Sequence, residues 1–252
     1  MSQSIALRGI GKAFENFRAL EGIDLSITEG EFIAIVGKSG CGKSTLLRII
    51  AGLLEPSEGK AEVAGKPVTG PSDGIGIAFQ TPVLLPWRTV EQNIRLQLEI
   101  RNLQRPDMEE ELRRLIELTG LKGFEQRRPY ELSGGMQQRV ALCRALIHNP
   151  SLLLMDEPFG ALDAMTREQL NLEIQRVWMQ TGKTIVLVTH SIIEAVFLAD
   201  RVVVMDARPG RITKIVDVEV PRPRSFSNLS DPAFQKASNH IRMLMDAEGM
   251  TA

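Results

Sequence analysis

Residues 37–45, Gly-Lys-Ser-Gly-Cys-Gly-Lys-Ser-Thr, constrain the fold of this chain more than any other stretch. They follow residues 32–36, an apolar run too short for a helix, which predicts a strand buried on both faces. They precede residues 46–51, a helical pattern that Gly52 can end. A glycine-rich turn in this position gathers backbone N–H groups and the positive end of the helix dipole around an anion. The stretch therefore predicts a cradle for a polyphosphate.

Individual positions of this loop have their own chemistry. The Lys43 ammonium can reach the terminal phosphates of a nucleotide, and the Ser44 hydroxyl is placed to coordinate Mg²⁺. A glycine-rich turn with a solvated lysine is the alternative, which the flanking strand, the flanking helix and the filled motif positions disfavour. The predicted nucleotide-binding residues are Gly37, Lys38, Ser39, Gly40, Cys41, Gly42, Lys43, Ser44 and Thr45.

The length and charge of the chain limit its class. Its 252 residues exceed the usual size of a single core, so we expect a main lobe and a smaller one. The 30 Lys and Arg residues nearly balance the 31 Asp and Glu residues, which leaves no bulk attraction to nucleic acid or anionic lipid. We therefore predict no nucleic-acid partner.

Cysteine usage and hydropathy indicate the compartment. Cys41 and Cys143 are the only cysteines, and they indicate neither a disulfide framework nor a metal cluster, which fits a reducing cytoplasm. Residues 1–8 lack the apolar core of a signal peptide, and no later run reaches the length that spans a bilayer. If the protein works at a membrane, we expect it to dock there.

Two regions flank the predicted phosphate-binding core. Residues 4–8 and 19–27 read as strands, the second partly alternating, which predicts an antiparallel sheet near the N-terminus. Helical patterns cover residues 91–102 and 107–119, and they predict a helical satellite lobe over about residues 84–148.

Three aromatic residues lie where their side chains could make intermolecular contacts. Phe14 and Phe17, between the two N-terminal strands, could stack on a base, and core packing is an equally good interpretation. Trp87 lies in a turn-like segment with leucine and proline, where we favour docking to a partner over core packing.

A second informative stretch, residues 132–139, reads Leu-Ser-Gly-Gly-Met-Gln-Gln-Arg and opens a helical pattern. Ser133 is a credible N-cap, and the glycines after it leave the start of the helix bare to an anion from outside the chain's own fold. On physical grounds alone, a capped helix with a flexible entrance is as good an interpretation. As a literal sequence, the stretch is far more specific.

With this stretch and the phosphate loop, nearly the whole chain resembles the ATP-binding subunit of an ABC transporter. The resemblance implies an α/β fold: a P-loop NTPase core, RecA-like with a mainly parallel sheet, with an N-terminal antiparallel β region and a helical satellite subdomain. It implies an ABC-type nucleotide-binding domain over residues 1–224, a C-terminal loop and helix over residues 225–252, and ATP and Mg²⁺ as cofactors.

A third block agrees with this resemblance. Residues 151–156 predict a buried strand that ends in two acids, Asp156 and Glu157, and α/β proteins place ligands at the ends of parallel strands. Asp156 would support Mg²⁺ through a water, and Glu157 would polarise the attacking water as general base. Two acids that cap a following turn are the alternative, which leaves the other motifs unexplained.

Further roles follow from the resemblance, position by position. Gln80, at a strand end, matches the glutamine that approaches Mg²⁺ and the attacking water and relays to the membrane subunit. His190, after another buried strand, matches the switch histidine that senses the γ-phosphate. Phe14 stands where the family stacks a tyrosine on adenine, with Phe17 as the alternative. The implied catalytic residues are Glu157, His190 and Gln80, and the implied metal ligands are Ser44, Gln80 and Asp156.

The resemblance also implies a homodimer in which two subunits clamp head to tail around ATP. Asp163, in the loop of residues 160–163, resembles the residue that crosses the dimer interface. The signature residues act in trans: Ser133, Gly134, Gly135 and Gln137. The other implied partners are a multi-span membrane permease, where Trp87 would dock, and indirectly a solute-binding protein. The chain would then be cytoplasmic and peripheral on the inner face of the plasma membrane.

Residues 206–212 and 221–224 resemble importer subunits of the nitrate, sulfonate and taurine group. Physically they are a turn and an extended basic connector, which carry no information on the solute. A soluble ATPase of the same superfamily, acting in DNA repair, translation or cofactor assembly, is the alternative. Long coiled-coil insertions or a second cassette would favour it, and neither occurs in the sequence. A nucleotide kinase or GTPase would not need residues 132–135.

Overall fold

A computed structural model describes residues 3–104, 106–160 and 162–247. Their chain divides into two compact units, one formed by residues 3–72 and 182–247 and the other by residues 73–181. The strands are β1 Gln3–Phe14, β2 Phe17–Thr28, β3 Phe32–Gly37, β4 Glu58–Val63, β5 Lys66–Pro67, β6 Ile75–Ala78, β7 Leu152–Asp156, β8 Thr184–Val188, β9 Arg201–Asp206 and β10 Arg211–Asp217. The α-helices are α1 Lys43–Ile50, α2 Val90–Ile100, α3 Met108–Leu118, α4 Gly134–Leu146, α5 Ala164–Thr181, α6 Ile192–Leu198 and α7 Pro232–Ala247. Short 3₁₀ helices cover Pro129–Glu131 and Phe226–Ser230.

The first unit opens with an antiparallel sheet. Its strand order is β2-β1-β4-β5, and β1 pairs with β2 across a tight hairpin. In β2, Ile23, Leu25 and Ile27 are buried while the residues between them are exposed, because one face of the strand packs on the core. The predicted antiparallel region near the N-terminus is confirmed.

A second sheet of the first unit is mainly parallel. Strand β3 is buried along its whole length and lies between β8 and β9, parallel to both, while β10 pairs antiparallel with β9. Helix α6 packs against β3, and α7 contacts both α6 and β9. A strand covered on its edges and faces needs apolar side chains at every position, and this explains the continuous run at residues 32–36.

The second unit combines the parallel pair β6 and β7 with helices α2 to α5. Helix α4 contacts β6 and each of the three other helices. At Gly76, a Cβ atom would lie 2.1 Å from the carbonyl oxygen of Ala145, so only glycine allows β6 and α4 to approach this closely. Helix α4 therefore forms the centre of this unit.

The ends of helices α2 and α3 lie within two residues of their predicted positions. Thr89 begins α2 in a capping box with Gln92, and α3 ends before Gly120, which holds a φ of 66°. Throughout the described residues, no helix combines the length and the hydrophobicity that crossing a bilayer requires.

The basic connector predicted at residues 221–224 is anchored by a buried arginine. Arg224 is only 2% exposed, and its guanidinium donates to the carbonyl oxygens of Val196 at 2.7 Å and Ala199 at 2.8 Å, at the end of α6. It also donates to the carbonyl oxygen of Val220 at 3.0 Å. Burial lowers the pKa of Arg224 to about 10. The side chain ties the C-terminal part of the first unit to α6.

Candidate functional site

The phosphate loop joins β3 to α1 in the first unit, and close contacts require two of its glycines. A Cβ atom at Gly37 would lie 2.5 Å from the carbonyl oxygen of Met205, and one at Gly42 would lie 2.6 Å from Leu20 Cδ2. Gly42 also holds a φ of 90° and stands before α1 with no side-chain cap hydrogen bond. A helix that starts in this way turns the positive end of its dipole toward an external anion.

Lys43 bends back over the loop. Its side chain is buried, and Nζ donates to the carbonyl oxygens of Gly37 at 2.9 Å and Lys38 at 3.2 Å. The next residue, Ser44, is half-buried in the first turn of α1. An ammonium, a hydroxyl and a glycine-shaped backbone together fit a magnesium nucleotide.

The two cysteines of the chain face the protein interior. Cys41 is fully buried in the phosphate loop, and burial raises the pKa of its thiol. Cys143 is fully buried in α4, where burial raises the pKa of its thiol to about 12. The Cys41 thiol therefore points inward, where its Sγ accepts a hydrogen bond from Lys43 Nζ at 3.9 Å.

Phe14 and Phe17 sit at the tip of the β1–β2 hairpin. Their rings stack on each other with centroids 5.3 Å apart, and they are 41% and 62% exposed. The core-packing interpretation is therefore wrong for both rings. Lys12 Nζ lies 5.4 Å from the centroid of the Phe14 ring, so this ring already has a cation–π contact. Contact of either ring with adenine stays a prediction.

His190 follows β8 in the first unit and is exposed. The turn around it is fixed by the buried Glu194, whose Oε2 accepts a hydrogen bond from Thr189 Oγ1 at 2.5 Å. Ser191 caps α6, because its Oγ accepts from the Glu194 N–H at 3.3 Å. These bonds hold His190 in a defined turn at the end of a buried strand.

The two acids end β7 in the second unit, as the sequence predicts. Asp156 is buried, and Glu157 is half-buried in the following turn with a φ of 46°. The Gly160 N–H donates to the Glu157 carbonyl at 3.2 Å and closes that turn. A left-handed backbone is sparsely populated by glutamate and is typical of functional sites.

Gln80 and Trp87 belong to the segment between β6 and α2. Gln80 is exposed two residues after β6, and Trp87 is 68% exposed, so Trp87 is not a core residue. The segment is anchored to α2 because Asn93 accepts from the Leu85 N–H at 2.8 Å. An exposed tryptophan on an anchored segment fits a docking role, which stays a prediction.

The signature stretch begins α4 in the second unit. Ser133 caps this helix, with Oγ accepting from the Met136 N–H at 3.3 Å, as predicted. A Cβ atom at Gly134 would meet nothing within 4 Å, whereas one at Gly135 would lie 2.4 Å from Thr166 Cγ2. Gln137 turns back and donates to the Pro129 carbonyl at 2.9 Å. Gly134 therefore borders open space, and Gly135 is required by packing.

Asp163 caps helix α5. Its carboxylate accepts hydrogen bonds from the Thr166 N–H at 3.0 Å and from Thr166 Oγ1 at 2.7 Å. These hydrogen bonds lower the pKa of Asp163. Thr166 thereby contacts both Asp163 and Gly135, so the predicted dimer loop and the signature stretch meet at one residue. Ala161, in the same predicted loop, lies outside the described residues.

The predicted metal ligands come from both units: Ser44 from the first, and Gln80 and Asp156 from the second. Within the described residues, no group of three or more His, Cys, Asp or Glu side chains could hold a metal ion. Mg²⁺ commonly keeps several waters and takes phosphate oxygens as ligands, so the Ser44 hydroxyl and the Asp156 carboxylate are each chemically suitable as a single protein ligand.

Comparison with known proteins identifies the family. The model of the ABC transporter family matches residues 20–160, more than half of the chain. The chain belongs to the ABC transporter family. An uncharacterized ABC transporter ATP-binding protein of Methanocaldococcus jannaschii is 46% identical over 240 residues, which cover 94% of this chain and 90% of the relative. The aliphatic sulfonates import ATP-binding protein SsuB of Bacillus subtilis is 48% identical over 222 residues, covering 88% and 85%.

Solved structures agree with this membership. A dimeric ATP-binding cassette in a post-hydrolysis state, bound to ADP and Pi, matches with a TM-score of 0.74 and 32% identity over 86% of this chain and all of that one. The cbiO1 protein of Clostridium perfringens, part of the ABC transporter complex cbiONQ, matches with a TM-score of 0.75 and 28% identity over 86% of this chain and 89% of that one. The predicted P-loop NTPase fold is confirmed, and the protein is an ABC ATPase coupled to transport.

Several side chains that shape the site were not predicted as site residues. Thr166 and Glu194 lie outside the motifs, Gln138 lies inside the stretch of residues 132–139, and each acts through a tertiary hydrogen bond or contact. A local pattern contains no information on such partners, which only the fold brings together.

Proposed function

We propose that this chain is the ATP-hydrolysing subunit of an importer for a small sulfonate or a related compound such as nitrate or taurine. The observation that carries the proposal is the set of relatives named as aliphatic sulfonates import ATP-binding proteins. They are 41% to 48% identical to this chain over 88% to 98% of its length. The turn at residues 207–210, between β9 and β10, lies in a stretch similar to that group.

Each unit supplies its own part of the proposed reaction. In the first unit, the phosphate loop cradles the phosphates, Lys43 neutralises their charge, and His190 senses the γ-phosphate. In the second unit, Glu157 takes the proton of the attacking water, and Asp156 and Gln80 are proposed metal ligands, as Ser44 is in the first unit. Mg²⁺, when bound, stabilises the charge that develops on the phosphate oxygens.

The assembled complex contains two copies of the chain. In the proposed clamp, Ser133, Gly134 and Gly135 of one copy contact the ATP that the phosphate loop of the other copy holds, with Gln137 and Asp163 supporting this interface. The complex includes a multi-span permease that Trp87 contacts, and a solute-binding protein delivers the solute. The chain is thus peripheral on the inner face of the plasma membrane. The start of α4, where Gly134 borders open space, suits an incoming phosphate.

A tagged Glu157→Gln variant, purified from membranes with MgATP present, tests the importer. We expect turnover to fall about a thousandfold, because the general base is lost, while ATP binding persists. The trapped clamp should then bring a hydrophobic multi-span protein in equal amount. Glu168→Gln, an exposed glutamate of α5, is the control and should retain normal turnover.

Two further outcomes of the same purification are informative. Adding Trp87→Ala to the trapped variant should lose the multi-span protein and keep ATP binding. Recovery of soluble partners alone, such as ribosomes or DNA, would overturn the importer in favour of a soluble ATPase.

The solute class needs a separate measurement. The complex reconstituted with its permease and binding protein should hydrolyse ATP faster when an alkanesulfonate, taurine or nitrate is added. Acceleration by one of these compounds identifies the solute. Absence of acceleration by all three would contradict the proposed solute group and leave the importer assignment intact.

A further inference from the structure

Helix α4 holds the segment that carries Gln80. This segment, residues 79–83, follows β6 and is named here the Gln80 segment. Gln138 Nε2 donates to the Phe79 carbonyl at 3.2 Å, and Arg144 donates from Nη2 to the Pro82 carbonyl at 2.6 Å and from Nη1 to the Val83 carbonyl at 2.9 Å. Two side chains of one helix therefore bind three main-chain carbonyls on both sides of Gln80.

Burying the polar ends of these two side chains costs free energy unless they find hydrogen-bond partners. Gln138 is 5% exposed, so its amide needs a hydrogen-bond partner inside the unit. Arg144 is half-buried, no carboxylate among the described residues pairs with it, and burial lowers the pKa of its guanidinium. The N–H groups of a buried guanidinium need acceptors, and for Arg144 these acceptors are carbonyl oxygens of the Gln80 segment.

The backbone of the Gln80 segment is strained at its end. Val83 holds a φ of 44°, a left-handed conformation that β-branched residues rarely adopt. Such a conformation persists only where neighbouring groups impose it, and the Arg144 guanidinium binds the carbonyl of this same residue. Before the segment, the close approach of Gly76 to α4 fixes the strand that leads into it. The helix thus determines the path of the chain from β6 to Val83.

We propose that Gln138 and Arg144 are positioning residues that join the helix starting at Ser133 to the Gln80 segment. This inference rests on the proposed roles of Gln80 and of the signature stretch. A displacement of the start of α4 then moves Gln80 and the residues between Gln80 and Trp87. In the other direction, a displacement of those residues moves the start of α4. The three hydrogen bonds transmit the motion in both directions.

Hydrogen–deuterium exchange of the full chain measures how firmly α4 holds the Gln80 segment. We expect Arg144→Met to raise exchange of residues 79–88 at least about fivefold, because two carbonyl anchors are lost. Gln138→Leu should have a smaller effect confined to the start of the segment, and Arg144→Lys should restore part of the protection. Arg114→Met is the matched control, because Arg114 is a half-buried arginine of the same unit that binds Glu111 of α3.

ATP turnover separates positioning from simple support of the fold. At saturating MgATP, Arg144→Met should lose about tenfold in turnover with less than about a twofold change in KM, since the ATP-binding loop is untouched. Arg144→Lys should recover most of the turnover, and Arg114→Met should retain it.

Three outcomes decide the proposal. Unchanged exchange of residues 79–88 in Arg144→Met would overturn it, and so would raised exchange with turnover equal to that of Arg114→Met. Localised exchange together with lost turnover supports it. A wild-type chain that hydrolyses no ATP would contradict the proposed function, and in that case the exchange result alone would decide whether α4 holds the segment.

Discussion

At the residue scale, the proposed site depends on side chains in uncommon backbone conformations. Glu157 and Val83 both hold positive φ values, of 46° and 44°, although neither is a glycine. Each such residue costs on the order of 1 kcal/mol relative to an ordinary conformation. These backbone conformations set the direction in which the Glu157 side chain leaves the backbone and the direction of the Val83 carbonyl. Such directions matter more at a functional site than at a surface turn.

A single methyl group explains why residue 135 is glycine. We predict that Gly135→Ala lowers the free energy of unfolding by about 2 kcal/mol, because the new Cβ would meet Thr166 Cγ2. Thr166→Ser removes this methyl and keeps the hydroxyl that binds Asp163, so the double variant should recover most of the loss. Urea unfolding of the two single variants and the double variant measures the coupling.

The neighbouring glycine supplies the control for this cycle. Gly134→Ala meets no atom within 4 Å of its Cβ, so its stability should stay equal to or exceed that of the wild type. Equal losses in Gly135→Ala and in the double variant would contradict the role of the Thr166 methyl.

At the element scale, Glu31 joins three strands of the first unit. Its carboxylate, just before β3, accepts hydrogen bonds from Arg201 of β9 at 3.0 Å and from the Thr28 N–H of β2 at 2.9 Å. Burial by itself raises the pKa of Glu31, but the bonds from Arg201 and Thr28 outweigh it, so the pKa lies below its ordinary value of 4.5.

Stability should depend on the charge of this carboxylate. Because the folded-state pKa is lowered, its contribution is complete above the ordinary value and is lost as the pH falls through the folded-state pKa. We predict that Glu31→Gln costs about 2 kcal/mol at pH 7 and that the difference from the wild type shrinks at pH values below 4.5. Urea unfolding at several pH values measures it, and a difference independent of pH would contradict the prediction.

The sequence predicts elements better than it predicts the bonds between them. The buried strands and the capped start of α4 could be predicted, because continuous apolar runs and N-cap residues are local signals. The contacts of Gln138 and Arg144 join residues 59 to 62 positions apart, so no local pattern predicts them. The burial of Arg224 could not be predicted for the same reason, because the carbonyls of Val196 and Ala199 that it binds lie 28 and 25 positions away.

At the scale of the whole molecule, the proposed dimer depends on a surface that the folded chain leaves open. We predict that Gly134→Asp folds normally, since its Cβ meets nothing within 4 Å and an acid suits the start of a helix. Its carboxylate should repel the phosphates of the partner's ATP. In the Glu157→Gln background, light scattering should then show ATP-dependent dimers for Gly134 and monomers for Asp at this position.

Binding of ATP to the phosphate loop serves as the internal control for this variant. The monomeric variant should still bind ATP, because the substitution leaves the residues of the phosphate loop unaltered. Dimers that persist in Gly134→Asp with ATP bound would contradict the trans contact.

Both native thiols are buried, one in the phosphate loop and one in α4, and both have raised pKa values. A thiol that is shielded and protonated reacts slowly with maleimides, which attack through the thiolate. Site-specific labelling can therefore start from the native chain, without removal of its two cysteines. A cysteine introduced at an exposed position such as Val83 would carry a fluorophore or spin label without replacing Cys41, so distance changes during turnover can be followed in a chain with an unaltered nucleotide loop.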